Sequence, residues 1–379
     1  MKKFILAILA IAALTVSCRE PIVPSPTPGE EVGGSESGAI AGFFLINEGN
    51  MGSNKCTLDY YDYASGIYSK NIFPQRNPSV ALSLGDGGND VEIYGGKLYA
   101  VVNRSNIVEV MDVATARHIG QIDIPNCRYI AFEGGNAYVS SYAGPFGVDP
   151  TSRLGYVAKV DTTTLRVVDT CTVGYQPEEM VVVGRKLYVA NSGGYRYPDY
   201  DNTVSVINLD SFKESKKIEV AINLHRMEKD IHGNVWVSSR GDYYTIPSRT
   251  YVIDSATDRV MHEIQIPVAD MAICGDSLYV YSSEWNYATQ SSDVAYAIVN
   301  TSNFSVVSNN FITDGTDASI ISPYALAVNP SNREILLTDA GDYVTPGIVY
   351  CFSPDGKKKW SATTGDIPSH MVFTTKHLE

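Results

Sequence analysis

Glu179-Met180-Val181-Val182-Val183-Gly184-Arg185-Lys186-Leu187-Tyr188-Val189-Ala190-Asn191, followed by Thr203-Val204-Ser205-Val206-Ile207-Asn208, reads as three consecutive β-strands. Apolar residues alternate with polar ones in Val204-Ser205-Val206-Ile207-Asn208, and Gly184-Arg185 supplies a two-residue hairpin turn. Asp210–Glu214 then reads as a turn and Lys216–Ile222 as an outer strand. A unit of inner, second, third and outer strand is the blade of a propeller.

The central phrase of that unit recurs along the chain. It reads Phe44-Leu45-Ile46-Asn47, Leu98-Tyr99-Ala100-Val101, Ala137-Tyr138-Val139-Ser140, Val235-Trp236-Val237-Ser238, Leu278-Tyr279-Val280-Tyr281 and Ile335-Leu336-Leu337-Thr338. With the copy at Leu187 this makes seven, spaced by 39 to 57 residues, the period of four-stranded blades. Inner strands precede six of them: Asp90–Ile93, Arg128–Phe132, Glu178–Val182, Met227–Asp230, Asp270–Ile273 and Tyr324–Val328. The first repeat lacks one, and Pro368–Phe373 at the far end matches it. The chain is therefore expected to be an all-β, seven-bladed β-propeller of four-stranded antiparallel blades. Its C-terminal strand joins blade one and so removes the free edges of an open ring.

The turns divide the propeller into two unlike faces. On one, Gly95-Gly96, Gly134-Gly135, His232-Gly233-Asn234 and Gly275-Asp276 join first to second strands. Asp112–Arg117, Asp161–Arg166 and Asp254–Arg259 join third to outer strands, with an acid able to bond its own backbone. The loops between second and third strands are long and dissimilar: Glu48–Lys55, Ser141–Leu154, Gly193–Tyr200, Arg240–Tyr244, Glu284–Tyr287 and Asp339–Pro346. They carry Tyr142, Phe146, Tyr195, Tyr197, Arg240, Tyr243, Tyr244, Trp285, Tyr287 and Tyr343. The starts of the inner strands bring Arg128, Tyr175, His225, Arg226 and Tyr324 to the same face. Tyr and Trp combine large rigid contact area with a polar atom, and variable loops on a rigid scaffold are where binding concentrates. These residues form the candidate ligand site. The plainer alternative is that the tyrosines only pack loops onto blades.

No catalytic pattern appears. The six histidines show no HExxH or paired spacing, and no Gly-x-Ser-x-Gly elbow occurs. Asp90, Glu92, Glu178, Glu179, Glu228, Asp230 and Asp270 lie at inner-strand positions, where they either hold Ca²⁺ in the channel or are solvated and paired with arginine. No metal site, resident cofactor or enzymatic activity is expected.

Residues 1–17 read as a lipoprotein signal. Lys2-Lys3 precedes an apolar run from Phe4 to Val16, about 13 residues and too short to span a bilayer as a helix, and Ser17-Cys18 follows. This resembles a lipobox with Leu14 one position further out than usual, and makes Cys18 the lipidation site; a secretory peptide cut near Ala13 is the alternative. Residues 18–41, with Pro21, Pro24, Pro26 and Pro28, read as a flexible tether, and 42–379 as the propeller. The formal charge is −13, and it becomes more negative when Lys2 and Lys3 leave, so nucleic acid is not an expected partner. Cys56, Cys127, Cys171, Cys274 and Cys351 are scattered and odd in number, and read as buried free thiols.

The stretch Val173-Gly174-Tyr175-Gln176-Pro177, then Leu187–Asn191, then Thr203–Ile207, resembles the YVTN repeat of surface-layer and YncE-like seven-bladed propellers. Ile46–Asn54, Cys127-Arg128-Tyr129, Ala190–Tyr195 and Ser238–Tyr244 resemble the BtuG group, surface lipoproteins of gut Bacteroides-type bacteria. That resemblance implies capture of cobalamin or a related corrinoid on the loop-rich face. It also implies handover to a TonB-dependent outer-membrane transporter, with the protein lipid-anchored at the cell surface. A ring of tyrosine, asparagine and arginine suits a broad macrocycle rimmed by amides. His225 and His370 are candidates for cobalt, or else are hydrogen-bonded strand-end histidines. A propeller binding a glycan or peptide, or a channel-metal lactonase or hydrolase, is the alternative function.

Overall fold

The computed structural model describes residues 28–34, 38–81, 83–286 and 291–379. Seven antiparallel sheets stand around a central channel. Their inner strands are Pro368–Thr374, Gly88–Tyr94, Cys127–Glu133, Pro177–Val183, Leu224–Lys229, Asp270–Cys274 and Pro323–Val328. Each contacts the next, and Pro323–Val328 contacts Pro368–Thr374, so the ring is closed. Closure is by the expected strand. Met371 lies opposite Leu45 and Phe373 opposite Phe43, which places the C-terminal strand inside blade one beside Gly42–Asn47.

Why the second strands read as unbroken apolar runs is plain from the packing. The core is seven apolar clusters, one in each seam between neighbouring blades. Successive side chains of a strand point to opposite faces, and both faces of a blade are covered. Leu98 and Ala100 thus fill the seam with blade one, while Tyr99 and Val101 fill the seam with blade three. Leu187 and Val189 face blade three, and Tyr188 and Ala190 face blade five. Trp236 is fully buried between blades five and six, and its indole N–H donates to Asp230 at 2.9 Å.

The short-turn face repeats one device. Asp62, Asp112, Asp161, Asn208, Asp254 and Asn300 close the third strands, and each accepts bonds from turn groups two or three residues on. In blade four the turn begins at Asn208, so the outer strand is Lys213–Glu219 rather than Lys216–Ile222.

Two expectations about the loops and ends change. Glu284-Trp285-Asn286 is not loop: second and third strands of blade six run to ten residues each, with Glu284 opposite Asp293 and Asn286 opposite Ser291. The proposed tether, 18–41, is partly structured. Glu30–Glu31 pairs with Tyr68 and Ile67 as a fifth strand on blade one, and Tyr61 donates to the Gly33 carbonyl at 2.7 Å. Main-chain pairing of two exposed glutamates leaves no side-chain pattern to read. The signal-like residues 1–17 and Cys18 lie outside the described residues. Among those described, no helix is long and apolar enough to cross a membrane. Cys56, Cys127, Cys171 and Cys351 are buried and Cys274 half-buried, all as free thiols. Burial pushes the Cys127 thiol up to about 12, so it is inert at neutral pH.

Candidate functional site

A cavity of about 820 Å³ opens on the loop-rich face over the mouth of the channel. Arg128, Tyr129, His225, Arg226, Arg240, Tyr281 and Tyr324 line it, with Tyr243, Tyr244 and Tyr343 at the loops and Glu48, Asn89 and Ser369 from blades one and two. Ile246, Pro247, Pro267 and Val268 give one apolar wall.

Its floor is a network of buried charges. Glu178 is almost fully buried and accepts from Arg128 Nε at 3.1 Å and Nη2 at 3.0 Å, and from the Tyr142 hydroxyl. Arg240 Nη1 lies 3.8 Å from the same carboxylate. Arg226 lies between Asp270, 3.0 Å from Nε, and Glu179, 3.6 Å from Nη1, and donates to the Tyr129 hydroxyl at 3.3 Å. Burial opposes the charge on each arginine, and the facing carboxylates restore it.

His225 joins the two halves. Its Nε2 lies 2.8 Å from Arg240 Nη2 and 3.1 Å from the Tyr129 hydroxyl. Arginine can only donate, so Nε2 is an acceptor and the ring is neutral, with its proton on Nδ1. Burial, then the charges of Arg240, Arg226 and Arg128, hold its pKa well below the ordinary value. Glu48 accepts from the Tyr324 hydroxyl at 2.9 Å, and burial pushes its carboxyl up despite the neighbouring arginines.

Two of the walls are built alike. Arg240-Gly241-Asp242-Tyr243-Tyr244-Thr245 in blade five parallels Ala340-Gly341-Asp342-Tyr343-Val344-Thr345 in blade seven. In each, the aspartate accepts from the backbone N–H groups two and three residues on and from the threonine hydroxyl. Tyr243 and Tyr343 take left-handed backbone, φ 65° and 62°, a strained conformation for a bulky residue that the aspartate turn over-determines. Gly241 has no alternative: a Cβ there would lie 2.0 Å from the Ile246 carbonyl oxygen. Both tyrosines are largely exposed, at 57% and 43%.

Of the residues singled out from the sequence, Arg128, His225, Arg226, Arg240, Tyr243, Tyr244, Tyr324 and Tyr343 line the cavity. Others stand behind or beside it. Tyr142 is buried against Glu178, and Tyr195 packs edge-on against Tyr142. Tyr175 lies under the Arg196 guanidinium at 3.9 Å, and Phe146 faces Arg104 at 5.5 Å. Tyr197 is exposed on the rim with Tyr200 and Tyr244. Tyr287 and the side chain of Trp285 lie outside the described residues. Glu48, Asn89, Tyr129, Tyr281 and Ser369 were not singled out as ligand residues. Of these, Glu48 is the one a loop reading could have found, as the acid opening the blade-one loop.

The channel acids have mostly structural work. Asp90, Glu179 and Asp270 accept the backbone N–H of Ile130, Met227 and Leu326 in the next blade at 2.9, 2.6 and 2.9 Å. Ser140, Ser238 and Thr338 accept the N–H one residue earlier, from Tyr129, Arg226 and Ala325. The pattern recurs at every second seam and holds Tyr129 and Arg226 in place at the cavity floor.

Comparison with known proteins adds the family. One family model, a domain of unknown function (DUF5074), matches residues 41–373. The chain belongs to the DUF5074 family. No curated protein matches it. Among solved structures this DUF5074 protein is similar to a quinonprotein alcohol dehydrogenase-like protein from Bacteroides thetaiotaomicron, at 14% identity and TM-score 0.59 over 88% of this chain and 78% of that one. It is also similar to a putative 6-phosphogluconolactonase from Bacteroides fragilis, at 11% identity and TM-score 0.59, over 90% and 99%. Kuenenia stuttgartiensis hydrazine synthase matches at 16% identity and TM-score 0.56, over 71% and 77%. At these identities the likeness concerns the propeller fold alone.

Proposed function

We propose that this DUF5074 protein is a binding protein that captures cobalamin or a related corrinoid at the propeller mouth. The observation that carries this reading is the cavity itself, about 820 Å³, with strained tyrosines at its loops and ion-paired arginines on its floor. Its donors suit the amide arms of a broad neutral macrocycle, and its aromatic and apolar walls suit the macrocycle's flanks. His225 Nε2 is already engaged by Arg240 and Tyr129, so the reading assigns no axial cobalt ligand to it. By the sequence resemblance, the ligand passes to a TonB-dependent transporter, and lipid on Cys18 holds the protein at the outer-membrane surface.

Mixing the protein with cyanocobalamin and separating by gel filtration tests this. Co-elution of the corrinoid absorbance with the protein supports capture. Free elution at ligand and protein concentrations of tens of micromolar contradicts it. Exposed Tyr197 and Tyr244, grouped with half-buried Tyr200 outside the arginine floor, favour a sugar-stacking surface as the second reading.

A further inference from the structure

We propose that Asp90, Glu92 and His370 form a binding site for a divalent transition-metal ion in the central channel, just below the cavity. The inference is independent of the ligand assigned to the cavity above. The three residues come from adjoining inner strands, Gly88–Tyr94 and Pro368–Thr374, and their ligating atoms lie within 4.8 Å of one another. Asp90 and Glu92 are two apart on one strand and so share a face. Asn89 and Ser369, the residues before Asp90 and His370, line the cavity, which places the cluster one residue deeper.

Two observations separate this cluster from an ordinary acidic patch. Asp90 is 2% exposed; its Oδ2 is fixed by the Ile130 N–H at 2.9 Å, while the buried Oδ1 is paired with nothing but the imidazole of the cluster itself. That oxygen is directed at His370 Nε2, 3.2 Å away, with Glu92 Oε1 3.8 Å from the same nitrogen. Locking one carboxylate oxygen by backbone while leaving the other to ligate is how outer contacts orient a metal ligand. In addition, the channel is short of cations: Glu228 has no ion-pair partner among the described residues, and Arg226 serves both Asp270 and Glu179.

The donor set selects the ion. One imidazole nitrogen with two carboxylates suits Zn²⁺, Fe²⁺, Mn²⁺ or Co²⁺, and not Ca²⁺, which takes oxygen ligands. Around a tetrahedral Zn²⁺ ligand atoms are about 3.4 Å apart, so modest side-chain turns close the site. Three protein ligands leave at least one position for water or another donor.

The test uses EDTA-stripped protein titrated with Zn²⁺ against a fluorescent chelator, with metal content measured after desalting. One Zn²⁺ per chain is expected, bound about tenfold or more weakly by both His370→Gln and Glu92→Gln. His232→Gln, at a surface histidine beside Asp276, is expected to change nothing. Absence of stoichiometric Zn²⁺, or binding equal in wild type and both variants, overturns the proposal. Glu92 is 38% exposed, so if His370→Gln does not fold, Glu92→Gln decides alone.

Discussion

The two faces of this propeller solve different problems with the same seven-fold frame. On the short-turn face an Asp or Asn closes six third strands, and the bonds are local and solvent-facing. On the loop face the charges are buried, come from different blades and depend on one another: Arg128 with Glu178, Arg226 with Asp270 and Glu179, and His225 between Arg240 and Tyr129. Repetition marks what the fold requires. Departure from it marks what the site requires.

The largest effect expected is on the frame that both faces share. Deleting residues 367–379 removes the inner strand of blade one, the Ser369 bonds to Ile46 and Gly88, and Leu378 from the first seam. The truncated chain should be aggregated or lack cooperative unfolding by circular dichroism; a melt like that of the full chain would mean the ring closes otherwise.

Next comes Arg226→Ala, which leaves Asp270 and Glu179 facing each other without the cation. Removing one partner of a buried ion pair costs about 3–5 kcal/mol, so the urea midpoint should drop by a large fraction of total stability. Asp161→Ala on the other face, where the half-buried acid has no ion-pair partner among the described residues and only local turn bonds, should shift it little. Equal shifts would erase the distinction between the faces.

The contrast also has a sign in pH. Burial, then neighbouring acids, pushes Glu228 up to about 8; at Glu179 burial, helped by Asp270, more than offsets Arg226 and His370 and leaves it at about 7. A carboxyl whose folded pKa is raised above the usual 4.5 contributes stability at low pH that is lost as pH rises through the folded value. The melting temperature should therefore decline between about pH 4.5 and 8, with Glu228→Gln flattening the upper part of the decline. Turn bonds hold Asp161 and Asp254 below the usual 3.8, so their contribution is lost only as pH falls through that range. A wild-type profile flat from pH 5 to 8 would contradict the channel assignment.

The fold was legible because each blade's second strand must bury both faces, so Leu187-Tyr188-Val189-Ala190 and its six relatives carry the period directly. Closure was legible for the same reason, since Pro368–Phe373 is an inner strand with no blade of its own in sequence. The site was legible by position and much less by contact. Tyr142 and Tyr195 sit in the expected loops, yet one is buried behind Arg128 and the other packs on it, because a carboxylate from blade four pulls the hydroxyl inward. Glu48, Tyr129 and Tyr281 line the cavity through blade-to-blade proximity that no local pattern encodes. The paired Gly-Asp-Tyr turns at 241–243 and 341–343 were readable, and their parallel is what identifies Tyr243 and Tyr343 as held at the rim by the same turn, Tyr343 also against Tyr324.

Cyanocobalamin titration of paired variants from the two faces tests the central claim most directly. Tyr243→Ala with Tyr343→Ala should weaken binding by roughly thirtyfold, as loss of a central aromatic anchor costs about 2 kcal/mol, with the melting temperature nearly unchanged. Thr163→Ala with Thr257→Ala, in the short turns, should leave affinity as it was. Equal loss from both pairs, or no loss from the tyrosine pair, would contradict the assignment of the loop face as the binding surface.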